Sequence, residues 1–429
     1  MFQTLKNAWK VPELKKKLLF TLLIVLLYRL GAQIPVPYAG AAYVNGISQL
    51  SEGFLGYLNL MSGSAFSQAT LFALSVSPYI TASIVVQLLT VAIPALERWS
   101  KDGEEGRKKI NLLTRIITVV LALATSYGYM NIIKGYGLLY NNPESAFEEI
   151  VVVACYCAGA AIIMWMAEKI NEHGIGNGIS IILFVNILSG GFAMVRSVWD
   201  MIVNNDNLVV GILLGVLSIA ITLAVTVLVV LVTNSERRIP IQYAKRVVGR
   251  KMYGGQNTNL PIKINMSGVM PIIFASSIVS IPATFAAFFP NVGWLNAITS
   301  FLSYESWVYL VINLILIIAF SYFYIMISFN PVEVANNIKN NGGAIPGVRT
   351  GKPTVDFINK ILGRITFIGA IFLCFVAGFP MLVNMVSGGS LAGLAFGGNS
   401  LLIVVGVALE TVRELEAQIT MRNYKGFLD

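Results

Sequence analysis

Long apolar runs recur along the whole chain and constrain its fold more than any other feature. Each run holds about 20 mostly apolar residues, the length that a helix needs to cross a hydrocarbon core about 30 Å thick. Strands of a membrane barrel would be about 10 residues long and would alternate in polarity, so these runs predict helices. Only 12% of the 429 residues are charged, whereas soluble domains average about 25%. The sequence therefore predicts an all-α polytopic membrane protein.

The apolar runs predict ten transmembrane spans. They lie at 18–36, 74–96, 110–133, 150–169, 178–195, 208–233, 267–288, 307–329, 365–386 and 394–412. If the N-terminus is cytoplasmic and each span reverses direction, all but four of the 30 Lys and Arg residues fall on the cytoplasmic side (the four are Arg29, Arg115, Lys134 and Arg196). This distribution obeys the positive-inside rule and places both termini in the cytoplasm. The first span is too long for a typical signal-peptide core, so we predict that it is not cleaved.

Two predicted cytoplasmic loops, 234–266 and 330–364, are unusually long. Connections longer than about 12–15 residues are usually functional or disordered. The first loop contains RRIPIQYAKRVVGRK, whose partial alternation, with turn residues at Gly254–Gly255, predicts a protruding hairpin. The second contains NNGGAIPGVRTGKPT, a tip rich in glycine and proline. The basic residues of the two loops that we select as docking candidates are Arg237, Arg238, Lys245, Arg246, Arg250, Arg349 and Lys352.

The basic loops allow two interpretations. Positive charge beside a membrane often serves only topology or attracts anionic lipids. Alternatively, the loops dock a large acidic partner, such as a ribosome, whose RNA phosphates attract Lys and Arg, or an acidic motor protein. A phosphate-binding P-loop is excluded because Pro353 follows Gly351–Lys352 and Pro346 occupies the position of the first glycine.

Residues with catalytic chemistry are scarce. His173 is the only histidine, there is no HExxH motif, and Cys155, Cys157 and Cys374 lie inside spans without metal-ligand or disulfide spacing. We therefore predict no enzyme activity, metal or cofactor. The spans show no ionisable residue at mid-span depth, where a coupled transporter concentrates them. Arg29 lies in the middle-to-outer part of span one, and Arg115 lies about one turn inside span three.

Two stretches differ from a plain helix bundle. Spans two and seven are rich in small and branched apolar residues, which allow close but weakly bonded helix packing, although ordinary membrane helices share this composition. Residues 56–66, GYLNLMSGSAF, are too apolar for a solvent loop and too short to span a bilayer. From the residues alone, a solute transporter and a channel both remain open.

Several stretches, in order from one end to the other, resemble the SecY/Sec61-alpha family of protein-translocation channels. They are LSVSPYITASIVVQLL (74–89), EGRKKINLLTR (105–115), GIGNGISIILF (174–184), YAKR (243–246), MPIIFASSI (270–278), FNPVEVANNIKNNGGAIPGVRTG (329–351) and GGNSLLIVVGV (397–407). Ser75 departs from the family, which usually has glycine there, and we expect this serine to stiffen or shift the helix locally.

The resemblance implies a fold of two inverted, pseudo-symmetric halves with five spans each. The N-terminal half is 1–195, the C-terminal half is 208–429, and an external hinge at 196–207 joins them. Segment 56–66 corresponds to the family's plug, a short helix packed under the constriction in the closed state. The plug residues singled out are Gly56, Leu58, Asn59, Leu60, Met61, Gly63 and Phe66.

The resemblance also implies a pore ring and a lateral gate. The ring positions are Val76, Ile80, Ile179, Leu183, Ile273 and Ile403. The gate between spans two and three and spans seven and eight has the candidate residues Ser83, Gln87, Ser276, Ser277 and Ile281. A narrow apolar constriction excludes ions by dewetting, while flexible branched side chains can still close around a passing polypeptide.

As a member of this family, the chain is expected to be the pore-forming subunit of a Sec translocon in a bacterial plasma membrane. Implied partners are SecE-like and SecG-like small membrane subunits, the SecA motor ATPase, the ribosome, signal sequences, nascent polypeptides and anionic lipids. Arg349 is the residue expected to couple the motor to transport, and Arg246 and Arg250 are expected to contribute to docking. The alternative is a small-solute secondary transporter, since inverted repeats and broken helices occur there too.

Overall fold

The computed structural model describes residues 6, 8–38, 59, 62–135, 146–203, 208–243, 246–248, 251–253, 257–288, 293–294, 306–387 and 397–425. Its helices are α1 Pro12–Gly31, α2 Ser77–Ala92, α3 Pro94–Lys101, α4 Gly103–Gly135, α5 Ala146–His173, α6 Gly178–Val203, α7 Leu208–Asn234, α8 Met270–Phe288, α9 Trp307–Ser328, α10 Pro331–Asn340, α11 Lys352–Ser387 and α12 Gly397–Lys425. Its strands are β1 Glu236–Tyr243, β2 Arg246–Val248, β3 Lys251–Tyr253, β4 Asn257–Lys263 and β5 Gly343–Ala344.

Each of the ten predicted spans overlaps one of these helices, which confirms an all-helical polytopic protein. Within the described ranges, five helices are long and apolar enough to cross a membrane by themselves, or six if α2 and α3 count as one bent span. Helix α7 shows how apolar the outer surface of such a helix is, because the side chains of Leu213, Leu223 and Leu231 are each more than 60% exposed. In a membrane such a face is covered by lipid rather than water.

The second predicted span is shorter than expected because a proline ends it. Residue 93 precedes Pro94 and is extended, with φ −110° and ψ 114°, since the proline ring disfavours helical geometry in the residue before it. The chain turns by 103° between α2 and α3. The short helix α3 buries Leu96 and exposes Arg98 and Lys101.

The first long loop forms the predicted hairpin. Antiparallel β1 and β4 pair from Glu236 with Lys263 to Gln242 with Asn257, and β2 continues the same register by pairing Val248 with Lys251. Gly254–Gly255, where the turn was predicted, lies outside the described residues.

The second long loop is largely helical. Asn330 caps α10, its side-chain oxygen accepting hydrogen bonds from the backbone N–H groups of Val332 and Glu333. Helix α11 begins at Lys352, well before the predicted span start at residue 365. Only 341–351 is left as a connection, and it contains the short strand β5.

Contacts group the chain into two compact units. Unit 1 contains Met1–Ser218, Ser276–Leu310 and Ile403–Asp429, and unit 2 contains Ile219–Ala275 and Val311–Leu402. Helix α6 runs to Val203, through the first part of the predicted hinge, and residues 204–207 lie outside the described residues. The expected division into halves 1–195 and 208–429 stays a prediction.

Candidate plug site, pore-ring helices and docking surface

The plug segment closes on itself through its own polar side chains. Asn59 accepts a hydrogen bond through Oδ1 from the N–H of Ser67 (3.0 Å), and its backbone carbonyl accepts one from the N–H of Ser64 (2.9 Å). The hydroxyl of Ser62 accepts one from the N–H of Phe66 (2.9 Å). Of the seven predicted plug residues, Gly56, Leu58, Leu60 and Met61 lie outside the described residues.

Two buried tyrosines form the surface on which this segment rests. Tyr129 of α4 donates its hydroxyl hydrogen bond to the carbonyl of Phe66, and the two rings lie 4.6 Å apart. Tyr156 of α5 donates to the carbonyl of Ala69 at 3.3 Å and packs edge-on against Tyr129 at 4.9 Å. We call Tyr129 and Tyr156 the tyrosine bed. Sequence analysis did not identify either tyrosine, since only the fold brings them to the plug.

Gly63 lets the plug approach helix α6 closely. A Cβ atom at this position would lie 2.7 Å from Ser189 Oγ, 3.1 Å from Asn186 Cα and 3.0 Å from Arg29 Nη1, and the backbone φ is +63°. Glycine alone tolerates both the space and the left-handed geometry. The sequence marked Arg29 as an ionisable residue inside a span, and the structure places its guanidinium beside the plug.

The backbone is strained from the end of the plug to the start of α2. Ser64, Ala69 and Ser75 all have positive φ, of 71°, 48° and 51°, although none is glycine. Such residues cost of order 1–3 kcal/mol each and are found where the surroundings determine the backbone. Two hydrogen bonds fix this path, from the N–H of Leu71 to the carbonyl of Ile34 (2.9 Å) and from the side-chain amide of Asn186 to Ser75 Oγ (3.2 Å).

The structure places five of the six predicted ring residues in unit 1. Val76 caps the N-terminus of α2 and Ile80 lies on its first turn; both are buried. On α6, Ile179 is half-buried and Leu183 is buried. Ile403 on α12 is buried, and Ile273, the one ring residue in unit 2, is buried on α8.

The GIGNG stretch explains how α6 presents its ring residues. Asn177 Oδ1 accepts hydrogen bonds from the N–H groups of Ile179 (3.0 Å) and Ser180 (3.5 Å), an N-cap that starts the helix there. A Cβ at Gly178 would lie 2.0 Å from the carbonyl oxygen of Ala167 on α5. Glycine therefore allows α5 and α6 to touch, and this contact fixes where α6 begins.

The predicted gate residues lie on two helices. Ser83 and Gln87 are half-buried on α2, and on α8 Ser276 is buried while Ser277 and Ile281 are half-buried. All five belong to unit 1. The structure gives no further test of a gate, which stays a prediction.

The two long loops fold together in unit 2, which the sequence did not predict. β5 pairs with β1, Ala344 opposite Gln242 and Gly343 opposite Tyr243. Beneath them lies one apolar cluster, which we call the hairpin base. Its buried members are Ile239, Ile241, Ile262, Ile325, Ala335, Ile338, Ile345, Ile358, Leu362 and Ile365. The hairpin is thus held by α10 and α11 as well as by its own strand pairing.

The docking candidates surround the hairpin base. Arg237, Arg349 and Lys352 are exposed, and so is Arg238, which pairs with Glu236 at 2.7 Å. The backbone at Arg349 is fixed, because its carbonyl accepts a hydrogen bond from the hydroxyl of buried Thr354 at 2.8 Å. The remaining candidates are less completely described: Arg246 lies in β2, and Lys245 and Arg250 are outside the described residues.

Comparison with known proteins identifies the family. The SecY family model matches residues 70–412. The protein translocase subunit SecY of Streptomyces galbus is 42% identical over 444 residues that cover 100% of both chains. A solved SecY structure, in which the plug domain stabilises the closed state of the translocation channel, matches with a TM-score of 0.67 at 19% identity, over 96% of each chain. Sec61 in the canine ribosome–channel complex from the endoplasmic reticulum matches with a TM-score of 0.64 at 17% identity, over 96% of each chain. The chain belongs to the SecY family.

Proposed function

We propose that this chain is the central pore-forming subunit of a Sec translocon, which passes unfolded secretory polypeptides across the membrane and releases hydrophobic segments sideways into lipid. The observation that carries the proposal is the pair of hydrogen bonds from the tyrosine bed to the carbonyls of Phe66 and Ala69, shortly before the helix that follows Val76 and carries Ile80. The chain is a channel and not an enzyme, so the driving energy comes from its partners.

In the closed channel, the apolar ring and the plug act together. Val76, Ile80, Ile179, Leu183, Ile273 and Ile403 carry branched apolar side chains with no group that could hold water. A narrow passage lined in this way dewets and blocks ions. Opening requires the plug to leave the tyrosine bed, so that the carbonyls of Phe66 and Ala69 exchange their tyrosine partners for water or for the passing chain.

The lateral gate would sort segments by their hydrophobicity. A segment in the open gate partitions between the channel and lipid, where leucine is favoured by about 0.3–0.6 kcal/mol and a central arginine or aspartate is opposed by about 2.5–3.5 kcal/mol. The half-buried Ser83 and Gln87 on α2, with Ser276, Ser277 and Ile281 on α8, are the residues proposed to line this exit.

The hairpin base supports a docking role for both long loops. Since one apolar cluster holds both loops, Arg237, Arg238 and Arg349 belong to one folded region, in which the first two are exposed on opposite faces of β1. We assign binding of the ribosome to this region; the canine relative is known from a ribosome–channel complex. We also assign docking of the SecA motor to it, and we place the coupling of the motor to transport at Arg349. SecE-like and SecG-like subunits and anionic lipids complete the proposed assembly, in a bacterial plasma membrane with both termini in the cytoplasm.

The test places a photo-crosslinking residue at Ile80 and offers a secretory protein whose folded C-terminal domain stalls it during export. We expect crosslinks to the stalled polypeptide only when its signal sequence and the motor are functional. A matched probe at Val91, on the same helix but 58% exposed, should give none. If export proceeds and Ile80, Ile273 and Ile403 all fail to crosslink, the polypeptide does not pass the ring; saturable uptake of a small solute would then favour a transporter.

A further inference from the structure

One hydrogen bond connects the start of α2 to α6 beside the plug. The side-chain amide of Asn186 donates to Ser75 Oγ at 3.2 Å, and both residues are buried, Asn186 completely. The buried hydroxyl of Tyr28 on α1 lies near both side chains but has no hydrogen-bonding geometry to either. The hydrogen bond that joins the helices here is therefore the one between Asn186 and Ser75.

The contact lies between the ring and the plug. Ser75 immediately precedes Val76, the N-cap of α2. Residues three apart are neighbours on the surface of a helix. On α6, Leu183, Asn186 and Ser189 follow one another at this spacing. Ser189 Oγ donates to the carbonyl of Asn186 at 2.7 Å and lies 3.5 Å from the carbonyl oxygen of Gly63, and the Asn186 backbone packs against the same glycine. One face of α6 thus carries a ring residue, the partner of Ser75 and the support of the plug.

We propose that the Ser75–Asn186 hydrogen bond is a latch that positions α2 against α6 and keeps the plug seated until a substrate engages. This inference rests on the proposed function. Ser75 and Asn186 belong to the same expected half, so parting the two halves leaves the bond intact. A shift of α6 away from the start of α2 breaks it, and moving Asn186 also displaces the surface on which Gly63 rests.

The left-handed backbone of Ser75 allows the hydroxyl to be separated from the strain. Ser75→Gly removes the hydroxyl and also relieves the positive φ of 51°. Ser75→Ala removes the hydroxyl alone, since alanine is strained there as serine is. If the bond is the latch, both substitutions weaken it; if only backbone strain mattered, Ser75→Ala would behave like the wild type.

The experiment measures resting ion conductance of the full-length channel, assembled with its small membrane subunits in planar bilayers. One intramolecular hydrogen bond of average worth shifts an equilibrium by about two- to tenfold. We therefore expect Ser75→Ala, Ser75→Gly and Asn186→Leu each to raise the open fraction by about that factor. The double variant Ser75→Ala/Asn186→Leu should leak no more than Asn186→Leu alone. Ser126→Ala is the control, because its buried hydroxyl bonds only within α4, to the carbonyl of Ala122.

The result separates failure of the latch from failure of the proposed function. A channel lacking residues 57–66 serves as the reference for an unplugged pore and should leak. If it leaks while the three single variants conduct like the wild type, the latch is refuted and the plug stands. If the deletion itself leaves the resting conductance unchanged, the proposed plug is wrong. Additive leaks in the double variant would show that the two residues act independently, which also overturns the latch.

Discussion

The hairpin base gives the sharpest quantitative prediction, for Ile358→Ala. Ile358 lies on the first turns of α11, is completely buried, and belongs to the cluster that includes Ile239 and Ile241 of β1. The substitution removes apolar atoms from the centre of this cluster while leaving the exposed basic residues in place. The substitution changes no residue of the hairpin strands. We nevertheless expect the hairpin to detach from α11 more often.

The magnitude follows from the burial. An isoleucine truncated to alanine in a closed core costs about 2–5 kcal/mol, the larger values applying where the neighbours cannot collapse into the cavity. A tenfold change in an equilibrium corresponds to about 1.4 kcal/mol. The open population of the hairpin should therefore rise by roughly 30-fold or more. Opening of this local kind is separate from unfolding of the membrane helices.

Limited trypsin digestion of membrane vesicles with the cytoplasmic face outward measures this opening. The informative cuts follow Arg237 and Arg238, because these residues are paired with Ile262 and Pro261 of β4 and become cleavable only when the strands separate. When closing is fast, the cleavage rate reports the open population. Mass spectrometry of the released peptides identifies the cut site.

Ile368→Ala is the matched control, since Ile368 lies on the same helix but is 57% exposed. It should be cut at the wild-type rate. If Ile358→Ala is also cut at the wild-type rate, the apolar cluster does not hold the hairpin and the reasoning fails. If both variants are cut equally fast, the effect is a general loosening of α11 rather than of the hairpin base.

Three further predictions concern the plug, the ring and motor docking. Tyr129→Phe removes the hydroxyl bond to the plug and should raise resting conductance about two- to tenfold, whereas Tyr127→Phe, 51% exposed on the same helix, should not; equal conductance in the two would refute the tyrosine bed. Ile273→Asn introduces a hydrogen-bonding group into the dry ring and should allow export of proteins with defective signal sequences, so a continued complete block would count against Ile273. Arg349→Glu should slow motor-driven export without loss of inserted protein, while the same charge change at exposed Lys339 should have little effect; normal export with Arg349→Glu would remove its coupling role.

The sequence predicted the membrane helices well because the signal is local. A run of about 20 apolar residues has one solution in lipid, a helix, and this holds whatever the rest of the chain does. The second span was predicted too long, because Pro94 separates α3 from α2. The sequence contained this proline, but the apolar run around it also allowed one continuous helix. The hairpin was predicted from its partial alternation, and the pairing of β1 with β4 confirms it.

The site was less predictable from the residues alone. Ring and gate positions came from resemblance, because apolar residues four apart mark any buried helix face. The roles of Tyr129, Tyr156 and Asn186 were not predicted. A single polar residue in an apolar helix does not indicate which group elsewhere in the chain it will hydrogen-bond. Arg29 is instructive: an ionisable residue inside a span is a functional hypothesis by default, and the structure places it beside Gly63. Ser75 was expected to stiffen or shift the helix locally; it lies just ahead of α2 with a positive φ of 51°, and its effect on the helix stays a prediction.

The contacts of the described plug residues have an energetic consequence. The hydroxyls of Tyr129 and Tyr156 donate to the carbonyls of Phe66 and, just beyond the plug, Ala69. At about 0.5–1.5 kcal/mol each, these two bonds contribute about 1–3 kcal/mol. The side chain of Phe66 is also buried in an apolar cluster with both tyrosines, which adds about 1.5–3 kcal/mol. Moving a two-state equilibrium from 1:99 to 99:1 needs about 5.5 kcal/mol of differential binding. The polar and apolar contacts together are of that order, so they keep the resting channel closed and still allow a bound substrate to open it.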